Sequence, residues 1–380
     1  MEILHKIAIV SGEVSGDQYA HLLALQLRKT IPHIEIVGIG ASGLERSGIR
    51  IIAENPLSGT FGVSSVVRNL KQHAAFLNAC VSAIRKENPD LIIFIDNPGF
   101  NLNLAKRLSG FRKIYYIPPK VWAHNYQRIF LIRQLFESVI VIFPFEKMLY
   151  EREGVPAYFF GHPVVDLIDN AGTDQEFFRK TEIDKQDSIV GLFPGSRKEE
   201  VIHILPLLVQ AGKLIQKNYR VSFVVSCANE KLFPVEKEIL ESKKLDWPIW
   251  VGSAHAIAGR SHVALAASGT MNLELALLGI PMIVFYRMAG INYFLARIIV
   301  QLSYVSPVNI VYGKKIVEEF IQNVNWCRFQ RVFSELFEES SEKRKAQIEE
   351  FKNMKQQLGG EKVSEKIASF ISQKIEDENS

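Results

Sequence analysis

Short apolar runs, each the length of one buried strand, alternate with stretches of helical period along almost the whole chain. Ile7-Ala8-Ile9-Val10 and Leu91-Ile92-Ile93-Phe94-Ile95 carry no polar residue on either face. A strand that is apolar on both faces must be covered on both sides, which is the situation of a parallel sheet packed between crossover helices. The pattern predicts strands at Lys6–Val10, Ile34–Ile39, Leu91–Ile95, Lys113–Ile117 and Ser138–Ile142 in the first half. In the second half it predicts Ser188–Phe193, Val221–Ser226, Trp247–Val251, His262–Ala266 and Pro281–Phe285. Helices are predicted between them, including Gln18–Lys29 and Val67–Lys86. A chain of 380 residues favours two domains over one. The polar stretch from Asp166 to Asp187 is the best junction. The expected division is 1–165, 166–340 and a helical segment 341–380. The two halves share an architecture without any short-period repeat.

Two loops carry the clearest chemistry. Leu192-Phe193-Pro194-Gly195-Ser196-Arg197 and Ala267-Ser268-Gly269-Thr270 each follow an apolar strand and open a helix, near Lys198 and Met271. A tight glycine turn there aims backbone N–H groups and the positive helix end at one spot, which suits a phosphate. Arg197 adds a planar charged fork able to hold phosphate oxygens. Glu274, four residues after Thr270, is placed to accept hydrogen bonds from ribose hydroxyls. Together these residues read as a nucleotide diphosphate site. Each loop alone is equally consistent with an ordinary strand-to-helix turn. No Gly-Lys-Ser/Thr completes a P-loop, and no G-x-G-x-x-G opens a strand–loop–helix unit.

Composition narrows the partners. The 45 basic and 41 acidic residues leave a net charge of +4, too weak for a nucleic-acid footprint but suited to an anionic substrate or membrane surface. Cys80, Cys227 and Cys327 are scattered without metal-ligand spacing, which points to a reducing compartment, with Cys80 and Cys227 as packed thiols. No apolar run reaches the roughly 18–20 residues that span a bilayer, and the N-terminus has no signal-peptide pattern. The expected protein is soluble or peripheral. Phe61, Val63, Val66, Val67 and Leu70 lie beside Arg68 and Lys71, and Phe294, Ile298, Ile299 and Leu302 flank Arg297. Both patterns suit interfacial lipid binding, and a core-facing helix would give the same pattern. Beyond Gly359-Gly360, Val363, Ile367, Phe370 and Ile371 form a helical apolar stripe. It must pack on the N-terminal domain or on a partner subunit, the latter meaning a homodimer.

Taken together, several segments resemble the lipid-A-disaccharide synthases, inverting glycosyltransferases of the two-domain B-type fold. They are Ser11-Gly12-Glu13-Val14-Ser15-Gly16-Asp17, Ile95-Asp96-Asn97-Pro98 with Phe100-Asn101-Leu102, and Tyr116-Ile117 with Val121-Trp122-Ala123. Phe143-Pro144-Phe145-Glu146 and Gly161-His162-Pro163 with Asp166 follow, then both glycine loops with Leu273-Glu274. Tyr304-Val305-Ser306 with Asn309 and Glu318–Gln322 complete the series, which runs in family order from about residue 7 to 322. The resemblance implies two Rossmann-like domains facing each other across a cleft, with the C-terminal helices packing back.

It also implies transfer of diacylglucosamine from UDP-2,3-diacylglucosamine to 2,3-diacylglucosamine 1-phosphate (lipid X). The products would be a β-1,6-linked disaccharide 1-phosphate and UDP, in lipopolysaccharide biosynthesis. The implied site has Asp96 as the base acting on the acceptor hydroxyl and Arg197 neutralising the departing UDP. Donor contacts would come from Gly195, Ser196, Arg197, Ser268, Gly269, Thr270, Glu274 and Asn309. No metal or cofactor is implied, and the expected setting is the cytoplasmic face of the inner membrane. Plainer roles stand beside these: Asp96 capping its loop, Asp17 capping a helix at Gln18, Arg197 paired with Glu200, and His162 holding a hinge. Trp122 and Phe145 read as core or acyl contacts.

The chain departs from the family pattern at Gly99, at His124-Asn125 and at Pro307-Val308-Asn309, which bears on acceptor contacts and rate more than on reaction class. Another B-type transferase or an epimerase acting on a UDP-sugar, such as a peptidoglycan N-acetylglucosaminyl transferase, shares much of the pattern. A noncatalytic nucleotide-sugar-binding membrane protein would share the loops but would not release UDP.

Overall fold

The computed structural model describes residues 5–12, 14–40, 42–54, 70–122, 125–167, 174–287, 304–359 and 361–376. The chain divides into two compact units, Met1–Asp166 with Leu358–Ser380, and Leu167–Gln357. Glu13, Phe61, Val63, Val66, Val67, Arg68, His124, Phe294, Arg297, Ile298, Ile299 and Leu302 lie outside the described residues.

The first unit holds a seven-stranded sheet: β1 (Lys6–Val10), β2 (Glu35–Gly40), β3 (Arg50–Glu54), β4 (Leu91–Ile95), β5 (Lys113–Tyr116), β6 (Ser138–Val141) and β7 (Ala157–Phe159). Their order is β3-β2-β1-β4-β5-β6-β7, with every pair parallel. The apolar runs explain this arrangement: all five residues of β4 are buried, so helices have to cover both faces. Helix Val14–Thr30 packs against helix Val363–Glu376, whose Val363, Ile367 and Ile371 are fully buried. The Phe370 ring packs on that of Tyr158, tilted, with centroids 4.3 Å apart. Asp166 caps this helix, accepting from the backbone N–H of Val363 at 3.1 Å and of Ser364 at 2.6 Å. The C-terminal stripe is therefore covered inside this unit and by itself gives no reason for a homodimer.

The returning chain passes close to the Gly161 turn. Gly161 and Gly359 have φ of 122° and 96°, and a Cβ on Gly359 would lie 2.5 Å from the Gly161 Cα. The His162 N–H donates to the Leu358 carbonyl at 2.8 Å, and its Nδ1 accepts from Val164 N–H at 3.2 Å. Burial pushes the His162 pKa down to about 3, so the ring stays neutral and structural.

The second unit holds six parallel strands: β8 (Ile189–Phe193), β9 (Ser222–Cys227), β10 (Ile249–Val251), β11 (Ser261–Ala267), β12 (Met282–Tyr286) and β13 (Glu318–Ile321). Their order is β10-β9-β8-β11-β12-β13. Helix Glu342–Gln357 belongs to this unit and helix Val363–Glu376 to the first, so the segment expected as one piece, 341–380, is divided. On helix Phe233–Ser242, Glu236 is fully buried, and neither carboxylate oxygen has a hydrogen-bond partner among the described residues. Burial pushes its pKa up to about 7 and that of the nearby Cys227 thiol to about 12.

Each strand expected from sequence is present within one or two residues. β3, β7 and β13 were not expected: β3 and β13 are charged, and β7 spans three residues, Ala157–Phe159.

Candidate functional site

Open α/β sheets bind ligands beyond the carboxyl ends of their strands, where neighbouring strands send their connections in opposite directions. Each sheet has one such point: between β1 and β4 in the first unit, and between β8 and β11 in the second. The segments marked in the sequence leave these four strands.

In the first unit, Ser11-Gly12 leaves β1 and Asp96-Asn97 leaves β4. The two loops touch, since a Cβ on Gly12 would fall 2.2 Å from Asn97 Nδ2. Asp96 and Asn97 are consecutive left-handed residues, with φ of 51° and 41°. Such backbone costs roughly 1–3 kcal/mol per residue and persists only where its surroundings impose it. The surroundings are visible. The Asp96 N–H donates to the Tyr116 carbonyl at 3.1 Å, while the Asp96 carbonyl accepts from Asn101 Nδ2 at 2.7 Å and the Tyr115 hydroxyl at 2.8 Å. The Asp96 side chain is half-buried. The buried Asn97 Nδ2 has no partner among the described residues.

Asp17 accepts from the Ser11 hydroxyl. Because its helix starts at Val14, Asp17 stands in the first turn and not as the cap before Gln18. On the next strand ends, Trp122 Nε1 donates to Glu146 Oε1 at 2.8 Å, and its ring meets Phe145 edge-on at 5.3 Å. Glu146 is buried, which pushes its pKa up, and its other oxygen accepts from Phe143 N–H at 3.2 Å and Ile142 N–H at 3.3 Å.

In the second unit, Gly195 has a φ of 115°, a turn that favours glycine. The loop's N–H groups do converge on an anion, and it belongs to the chain itself. Glu200 Oε2 accepts from Ser196 N–H at 3.1 Å and Arg197 N–H at 3.4 Å, and Arg197 Nη1 lies 3.4 Å from Glu200 Oε1. The ion pair weighed from sequence is thus present, with the same carboxylate accepting from the backbone N–H of Arg197, the residue before the helix. Arg197 is more than half exposed, so such a pair is weak.

After β11, Gly269 has open space where a Cβ would stand, and Thr270 is exposed. Ser268 is otherwise engaged: its N–H donates to the Phe285 carbonyl at 3.1 Å and its hydroxyl to the Val305 carbonyl at 2.6 Å. Both of its donors hold the protein together, so a donor contact at Ser268 would have to use its hydroxyl oxygen as an acceptor. The Asn309 side chain is likewise engaged within the chain. It is completely buried, its amide donates to the Val317 carbonyl and to Glu319 Oε1, each at 2.9 Å, and its oxygen accepts from Ile316 N–H at 2.7 Å and Val317 N–H at 2.9 Å. All its hydrogen-bonding capacity is used in shaping residues 309–319.

Glu274 stands one turn into its helix and is mostly buried. Its Oε2 lies 2.8 Å from His255 Nε2. Sequence reasoning missed His255, because a lone histidine in the short helix Ala254–Ala258 breaks no pattern. It also missed Tyr115 and the restraining role of Asn101, which contacts at a strand end could reveal but spacing could not.

Comparison with known proteins joins these observations. The family model described as lipid-A-disaccharide synthetase matches residues 7–375. A lipid-A-disaccharide synthase of Coxiella burnetii (strain Dugway 5J108-111) is 32% identical over 320 residues, covering 83% of this chain and 84% of its own. Lipid-A-disaccharide synthase 1 of Legionella pneumophila (strain Philadelphia 1) is 31% identical over 379 residues, covering 98% of both. Among solved structures, the UDP-GlcNAc 2-epimerase of Neisseria meningitidis bound to UDP-GlcNAc superposes with a TM-score of 0.60 at 14% identity, over 97% of this chain and 100% of that one. This last likeness extends to the fold alone, two Rossmann-type units of the B-type glycosyltransferase plan. The sequence matches reach further, covering both switch points and the loops that leave them, and on that ground the chain belongs to the lipid-A-disaccharide synthetase family.

Proposed function

We propose that the chain is a UDP-sugar-dependent glycosyltransferase that moves diacylglucosamine from UDP-2,3-diacylglucosamine to 2,3-diacylglucosamine 1-phosphate. The products are the β-1,6-linked disaccharide 1-phosphate and UDP. The observation that carries this reading is the family match over residues 7–375, which spans both ligand-binding edges.

On this reading the acceptor's 6-hydroxyl attacks the donor's anomeric carbon. As that bond forms, the bond to the diphosphate oxygen breaks, and Asp96 takes the hydroxyl proton. The constraint on Asp96 suits a base: three hydrogen bonds to its main chain hold its peptide in one left-handed conformation, which fixes the direction in which its side chain leaves the strand end. UDP departs with added negative charge, and Arg197 neutralises it. The diphosphate takes the place that the Glu200 carboxylate holds on the Ser196 and Arg197 N–H groups. Gly195, which makes the turn possible, and the open Gly269 and Thr270 complete the donor contacts, with Glu274 on the ribose.

Both sugars carry long acyl chains that partition into bilayers. No helix among the described residues is long and apolar enough to cross a membrane, so on this reading the chain meets its substrates at the surface of the inner membrane's cytoplasmic face. Val63, Val66 and Leu70, beside Arg68 and Lys71, are the proposed contact. Changing those three to Ser is expected to cut co-sedimentation with anionic liposomes while UDP binding stays unchanged.

The direct test incubates the purified protein with both lipid substrates and examines the products by mass spectrometry. Appearance of the disaccharide, with UDP release requiring both substrates, supports the assignment. UDP release without disaccharide, or none at all, refutes it.

A further inference from the structure

We infer that His255 is a positioning residue for the donor's ribose, acting through Glu274. The inference rests on the reading of Glu274 as the ribose contact. His255 is 7% exposed and Glu274 comes from a different helix, so the 2.8 Å bond between Nε2 and Oε2 joins two elements in a mostly dry setting. Both helices begin at the carboxyl edge of the second sheet, His255 after β10 and Glu274 after β11.

The hydrogen-bond chemistry assigns the roles. A carboxylate only accepts, so the imidazole Nε2 carries the hydrogen toward Glu274. The ring's other nitrogen, Nδ1, has the Ser253 hydroxyl 3.3 Å from it. The Ser253 hydroxyl, which can donate or accept, thus engages Nδ1 and holds the ring from its other side while Nε2 donates to Glu274. This bond uses one oxygen of Glu274. The other, Oε1, has no partner among the described residues and is not among their fully buried unsatisfied atoms. One oxygen is pinned and the other has no partner among the described residues, which leaves the carboxylate able to accept from a ribose hydroxyl at a fixed angle. Without His255 the Glu274 side chain would regain its rotamers and have to lose them again on binding.

The proposal predicts discrimination between ligands and not merely weaker binding. Calorimetry of the full chain would compare UDP with 2′,3′-dideoxyuridine diphosphate, which lacks both hydroxyls. The wild type is expected to prefer UDP. His255→Ala should weaken UDP roughly tenfold while changing the dideoxy compound less than about twofold. His255→Gln, whose amide can donate from nearly the same place, should recover most of the preference. If His255→Ala weakens both ligands equally, or keeps the full preference for UDP, His255 is only scaffold and the proposal fails by itself. If the wild type binds both compounds alike, Glu274 does not read the ribose, and the proposal falls with that reading. His255→Gln keeps the test decisive should the alanine variant unfold, since a folded glutamine variant must still discriminate.

Discussion

The two switch points share a topology and differ in how they are built. At the first, the chain leaves β4 through two consecutive left-handed non-glycine residues, Asp96 and Asn97, and the buried Asn97 Nδ2 has no hydrogen-bond partner among the described residues. At the second, the conformational burden falls on Gly195, where positive φ costs little, and the polar groups are already in use: Glu200 on the loop N–H groups and His255 on Glu274. Strain without satisfaction marks a place where one carboxylate must be held still. Satisfaction by the chain's own carboxylate marks a place shaped for an anion. On the proposed reading, one fold used twice yields a proton-accepting edge and a phosphate-accepting edge.

The largest effect expected from this contrast is at Asp96. Asp96→Asn keeps the shape and removes the base, so turnover should fall by roughly 10²–10⁴. A steady-state assay of UDP release with saturating substrates checks it, and an Asn variant with more than a tenth of wild-type activity would leave Asp96 as a loop cap. Next comes Arg197→Ala, for which turnover should fall by roughly 10²–10³, since a preorganised charge facing the leaving diphosphate is lost. Near-normal turnover in the same assay would reduce Arg197 to the exposed ion pair with Glu200.

A smaller effect tests the contrast away from chemistry. The first unit's buried Glu146 receives three hydrogen bonds from N–H groups, whereas the second unit's buried Glu236 receives none from N–H or O–H groups among the described residues and has only the weakly donating Cys227 thiol beside it. Glu236 has its pKa raised by burial from 4.5 to about 7. A raised carboxyl pKa means the folded state keeps its proton longer than the unfolded state. Stability is then full below the unfolded pKa, falls as pH rises from about 4.5 to about 7, and levels off above. Glu236→Gln cannot ionise and should escape that decline, gaining up to roughly 3 kcal/mol on the wild type between pH 5 and pH 8. Urea midpoints at the two pH values measure it. A constant difference would show that Glu236 is not a buried neutral acid.

Much of this was legible in the sequence, for physical reasons. Leu91–Ile95 and Ile189–Phe193 are apolar on both faces, and only a covered parallel sheet satisfies them. β13 escaped because Glu318 and Glu319 make it look like surface. In the fold Glu318 is paired with Lys315 and Arg328, and Glu319 accepts from Val305, Ser306 and Asn309. Glycine loops advertise where backbone N–H groups will be exposed, so Gly195 and Gly269 could be read directly. Whether a side chain's donors are already taken depends on partners far along the chain. Ser268 is committed to Val305, 37 residues on, a separation that no local pattern encodes. A separation of 19 residues likewise hid His255 from Glu274.

The central claim, that the first unit acts on the acceptor and the second holds the donor, is tested most directly by UDP calorimetry on two variants side by side. Asp96→Asn is predicted to bind UDP with wild-type affinity, and Arg197→Ala to bind it at least several-fold more weakly, both with unchanged melting temperatures. Equal loss in both variants, or loss confined to Asp96→Asn, would contradict the division of labour between the two edges.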